Sequence, residues 1–143
     1  MSTLNLDAYA QMLKNAEKLQ RNLEQFNNLE GEINGFLKAR DARLAFDINY
    51  LIAGGATVKT GTIEGRDKAQ RINELLKDVR VRITETRNDL YAISNRAVEA
   101  MGGNERAIVA INKSKTDWKV EHTSEALKTI RSEWVKIQDA EYN

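Results

Sequence analysis

Apolar residues recur four and three apart through the middle of the chain: Ile72, Leu76, Val79, Ile83, Thr86, Leu90, Ile93, Ala97 and Ala100. Only Thr86 is polar. A 3.5-residue repeat keeps one seam of a helix facing a partner helix. The stripe predicts a helix from about Arg66 to Met101, roughly 50 Å long at about 1.5 Å per residue. Gly102-Gly103 follow it, and glycine commonly sits just past a helix end.

The first third of the chain carries a less regular version. Tyr9, Met12, Ala16, Leu19, Leu23 and Phe26 keep the same spacing. Glu30 interrupts, Ile33 and Leu37 resume, and Arg40 and Asp47 take later seam positions with Leu44 and Leu51 between them. Asn5 or Asp7 can cap the start, because either side chain accepts an orphan backbone N–H. Gly31 and Gly35 each cost up to about 1 kcal/mol relative to alanine in a helix interior. The register survives both glycines, which favours one helix to about Ala53 over two joined at Gly31–Gly35. Phe36, Ile48 and Ile52 widen the apolar face, and Gly54-Gly55 end it.

The stretch between these helices is different in kind. Val58 and Ile63 stand among threonines and glycines from Ala56 to Gly65. Threonine and valine favour strands over helices, and Lys59-Thr60-Gly61 allows a small β-hairpin over residues 56–65, with a mobile loop as the alternative. Beyond Gly103, Asn104 reads as the cap of a short helix over Glu105 to Ile111. Periodicity alone also permits a strand there. Trp118 to His122 alternates apolar and polar positions and could pair as a strand. Thr123 or Ser124 then caps a last helix on which Leu127, Ile130, Trp134 and Ile137 share a face. These readings combine into a single all-α domain over residues 1–143. Its expected form is a long, antiparallel, coiled-coil-like helical hairpin with a shorter C-terminal helix.

Composition strengthens the helical reading. Proline is absent from the 143 residues, where average usage of about 5% would give roughly seven. Cysteine is absent as well, which removes disulfides and thiolate metal sites. The net charge is +1, and no end of the chain is strongly basic, so bulk attraction to nucleic acid or anionic lipid is not expected. The longest apolar run, Tyr50 to Ala56, is too short to span a bilayer, and no secretory signal is seen. The expected setting is the cytoplasm or a soluble assembly.

Candidate chemistry is sparse. His122 is the single histidine and reads as a surface residue beside a helix start. Neither the paired carboxylates Glu74 with Asp78 and Glu85 with Asp89, nor Gly61-Thr62-Ile63-Glu64-Gly65, matches a metal or phosphate motif. No catalytic role, cofactor or metal is expected. What remains is association. Two long helices and a short one leave much of the seam uncovered, so Ile72, Leu76, Val79, Ile83, Leu90 and Ile93 are expected to meet another protein chain. Arg80, Arg82, Arg87 and Arg96 flank that seam, and Trp118 offers an aromatic contact. The expected function is a non-catalytic structural or assembly protein, either a homo-oligomer or part of a larger particle. The alternative is a nucleic-acid accessory protein using the Arg80–Arg96 face with Lys113, Lys115 and Lys119, where Trp118 would stack among the lysines.

Overall fold

A computed structural model describes residues 3–54, 60–113 and 117–142. Four helices follow in order: α1 (Leu6–Ile52), α2 (Thr60–Met101), α3 (Glu105–Asn112) and α4 (Asp117–Tyr142). No strand occurs among the described residues. α1 runs unbroken through Gly31 and Gly35 for 47 residues. Asn5 is its cap: the side-chain Oδ1 accepts from the backbone N–H groups of Asp7 and Ala8 at 3.0 and 3.3 Å. α1 and α2 pack together, and α4 packs with both.

The α2 stripe is realised in full. All nine positions from Ile72 to Ala100 are buried, and Gly65 and Ala69 continue the line upstream. Because of that continuation, α2 starts at Thr60, so Thr60 to Gly65 are helical, not part of a hairpin. The rest of the expected hairpin, residues 56–59, lies outside the described residues. α2 closes at Gly103, whose φ of +88° suits a residue without a Cβ. Its N–H donates to Ala100 O at 3.0 Å, and the Asn104 N–H donates to Glu99 O at 3.1 Å. This is the paired bonding of a Schellman ending.

The seam of α1 differs from its sequence reading. The buried line is Met12, Asn15, Leu19, Asn22, Phe26, Leu29, Ile33 and Leu37. Ala16 is exposed, while Leu23 and Glu30 are only half-buried. The helix is rotated by one residue at every second contact. Glu30 interrupts nothing, because Leu29 fills that place with no exposed surface. Leu29 takes the place that would otherwise bury the Glu30 carboxylate, and apolar burial is favourable where burial of a charge is costly.

α4 also departs from expectation, beginning at Asp117 instead of Thr123 or Ser124. Trp118 to His122 are its first turns, not a strand. The Thr123 and Ser124 hydroxyls donate back to the carbonyls of Lys119 and Val120, at 2.8 and 3.0 Å. That bonding belongs to hydroxyl side chains inside a helix. The longer helix presents Val120, Thr123, Leu127, Ile130, Trp134 and Ile137 as one buried line with the three-four spacing of α2. α3 is a helix, and Asn104 caps it by accepting from the N–H groups of Arg106 and Ala107.

The packing divides into two compact units: Met1–Glu24 with Val79–Ala126, and Gln25–Asp78 with Leu127–Asn143. In the second unit Phe26, Leu29, Ile33 and Leu37 of α1 share a core with Ala69, Ile72 and Leu76 of α2 and with Leu127, Ile130, Trp134 and Ile137 of α4. Trp134 meets the Phe36 ring edge-on, with centroids 5.3 Å apart, and its indole N–H donates to Glu32 at 3.1 Å. Arg66 near the start of α2 donates to Asp41 of α1 at 2.7 Å. That hydrogen bond first, and the Asp41 charge second, raise the arginine pKa above its ordinary value.

Candidate functional site

The first unit holds the features that bear on function. Its core mixes Met12, Leu19, Val79, Ile83, Leu90, Ile93 and Val120 with four buried polar residues: Asn15, Asn22, Thr86 and Thr123. Buried polar groups cost free energy unless hydrogen-bonded, and each of these has a partner. Gln11 donates to Asn15 Oδ1 at 3.3 Å. Asn22 donates to the Val120 carbonyl at 3.3 Å, and its Oδ1 shares the Ser124 hydroxyl proton with that carbonyl, the hydroxyl oxygen lying 3.0 Å from each. Thr86 bonds back to Arg82 O, as Thr123 does to Lys119 O, both at 2.8 Å. Asn22 therefore ties α1 to α4 at one fixed level. Around this layer Lys18 pairs with Glu121, and Lys119 of α4 pairs with Asp89 of α2 at 2.5 Å.

α3 is held against the start of α1. The Asn5 N–H donates to Asn112 Oδ1 at 2.8 Å, and Asn112 Nδ2 donates to Thr3 O at 3.0 Å. Ala107, Ile108 and Ile111 turn inward.

The residues expected to meet a partner chain separate into two groups. Ile72, Leu76, Val79, Ile83, Leu90 and Ile93 are all buried within the chain, none more than 8% exposed. Their seam is not an open surface: α1 and α4 each bring a buried line of the same spacing to the packing. Arg80, Arg82, Arg87 and Arg96 are exposed. Among the described residues, no carboxylate pairs with Arg82, Arg87 or Arg96. Lys113 is exposed at the C-cap of α3, and Lys119 is engaged by Asp89. Lys115 and the Trp118 side chain lie outside the description.

Two open clefts collect these cations differently. Between α2 and α4, a cleft of about 250 Å³ is lined by Arg82, Glu85, Thr86, Lys119 and His122. It brings together two of the expected contact residues, Arg82 and Lys119, and adds His122, but Glu85 and Asp89 offset their charge. Between α1 and α2, a groove of about 260 Å³ is lined by Ala16, Leu19, Gln20 and Leu23 from one side and Ile83, Arg87, Leu90, Tyr91 and Ser94 from the other. Its floor is apolar. Among the described residues that line it, Arg87 is the one that is charged, and none is a carboxylate. Ala16 and Leu23, the α1 positions displaced from the core, are among its lining residues.

Further large apolar side chains stay exposed. Tyr91, Val98 and Met101 are 63%, 75% and 79% exposed, and their spacing of seven and three places them on one side of α2. Tyr91 follows a seam position directly. Its sequence signal was the recurrence with Val98, masked by the stronger stripe beside it. In the second unit Phe46, Ile48 and Ile52 are exposed near the end of α1. No group of three or more metal-ligating side chains occurs among the described residues, and no described helix is long and apolar enough to cross a membrane. Comparison of the chain with protein-family models, curated proteins and solved structures finds no match.

Proposed function

We propose that this protein is a non-catalytic assembly module that works by laying helix against helix with a second protein chain, including copies of itself. The observation that carries this reading is the outward side of α2. The inward stripe of that helix is already satisfied, yet Tyr91, Val98 and Met101 remain exposed on another side. Apolar surface grouped in this way marks interaction sites more often than chance exposure does. An antiparallel, coiled-coil-like hairpin of α1 and α2 belongs to the same proposal. The three-four spacing of the buried positions supports it, as does the Arg66–Asp41 pair between the beginning of one helix and the later part of the other.

Sedimentation of the wild-type chain up to high micromolar concentration tests the function. Masses above the 16.2 kDa monomer are expected. Tyr91→Glu with Val98→Glu should return the chain to monomer while its helical circular dichroism is retained. A wild-type chain that stays monomeric throughout overturns self-association. Binding to nucleic acid that weakens steeply with salt would transfer the exposed arginines to the competing reading.

A further inference from the structure

We infer that the α1–α2 groove of the first unit receives an acidic amphipathic helix from another polypeptide, with a carboxylate of that helix seated on Arg87. The inference rests on the assembly reading above and names the chemistry of the partner. Three observations converge. The groove offers an apolar floor from Leu19, Leu23, Ile83 and Leu90, which suits the apolar face of an incoming helix. Among the described residues that line it, the single charge is the Arg87 guanidinium, with no carboxylate beside it. Among the described residues Arg87 has no ion-pair partner, whereas Arg66 and Lys119 are paired across helices with Asp41 and Asp89.

Charge complementarity then fixes the sign of the occupant. A basic or neutral helix would bury the guanidinium without compensation, which is costly, whereas a carboxylate gains a charge-assisted, two-pronged hydrogen bond. Tyr91 and Arg87 both line the groove, and tyrosine and arginine are among the residues enriched where binding energy concentrates. By contrast, the α2–α4 cleft carries its own acids and selects no such partner.

The test uses the full chain and two synthetic helical peptides. Both peptides present leucines at positions 1, 4 and 8, following the i, i+3, i+7 pattern of groove-bound helices. One carries glutamates a heptad apart beside the leucine face, and the other lysines at the same positions. Fluorescence anisotropy should show the acidic peptide binding at least about tenfold more tightly than the basic one. Arg87→Glu should reverse the order, and Arg96→Glu, outside the groove, should leave it unchanged. Equal binding of both peptides, or binding indifferent to Arg87→Glu, overturns the inference. So does an Arg87-dependent affinity for a single-stranded oligonucleotide in the absence of peptide binding. A chain that self-associates in sedimentation but ignores the acidic peptide defeats this inference and leaves the assembly reading standing. A monomeric chain that binds the peptide does the reverse for self-association.

Discussion

The two units are built from the same three long helices and the same three-four spacing, yet their interiors differ. In the second unit every buried side chain among the described residues is apolar, and Trp134 is the largest of them. In the first unit Asn15, Asn22, Thr86 and Thr123 occupy equivalent seam positions. An apolar seam stabilises through area removed from water and tolerates neighbouring registers. A polar seam contributes less, but a buried asparagine with one suitable partner discriminates between registers. The difference suggests a division of labour, with stability concentrated in residues 25–78 and 127–143 and alignment specified in the remainder. The open clefts bearing Arg82 and Arg87 lie beside the polar layer, in the unit whose interior is less purely apolar.

The largest expected effect tests the apolar side of that comparison. Trp134→Ala should lower stability by about 3–5 kcal/mol, read from urea denaturation. The change removes a large buried ring, its edge contact with Phe36 and the hydrogen bond to Glu32. A loss below about 1 kcal/mol would show that the second unit is not closely packed. A middle effect tests the polar side through a pair of variants. Asn22→Ala should cost about 1–3 kcal/mol by removing the link between α1 and α4. Asn22→Leu should recover most of that loss, because the Val120 carbonyl still accepts from Ser124. If the leucine variant is as unstable as the alanine one, the layer stabilises in its own right and the division of labour fails. The smallest effect concerns the rim. Asp89→Asn should cost less than about 1 kcal/mol at low salt and nearly nothing at high salt, as partly exposed ion pairs do. A larger loss would make the Lys119 pair part of the core's energetics.

Much of this was readable from the sequence, for reasons that can be stated. The α2 stripe was legible because nothing competes with it: its neighbours are charged or small, so one period dominates. Gly54, Gly103, Asn5 and Asn104 were legible because helix ends carry orphan backbone groups that few residues satisfy. The α1 register was not. Ala16 and Leu23 present an apolar alternative one residue away from Asn15 and Asn22, and only a packed partner decides between them. The choice falls to Val120 and Ser124, about a hundred residues further on, whose carbonyl and hydroxyl reward asparagine. The start of α4 was hidden by Thr123 and Ser124, which imitate caps locally but serve as interior residues once their hydroxyls turn back on the helix. The candidate site was half legible. The exposed arginines were found from their places beside the stripe. Their sorting into a charge-balanced cleft and an acid-free groove depends on which helix lies alongside, and no local pattern carries that.

Asn104 has a consequence that reaches beyond its capping. Its backbone N–H closes α2 on Glu99, while its side chain and carbonyl open α3 toward Arg106, Ala107 and Ile108. A helix of eight residues standing alone is unstable in water, because its nucleation cost is never recovered. Here the last turn of α2 fixes the residue that begins α3, which lowers that nucleation cost. Fraying at this corner therefore involves both helices, because one residue serves the end of the long helix and the start of the short one.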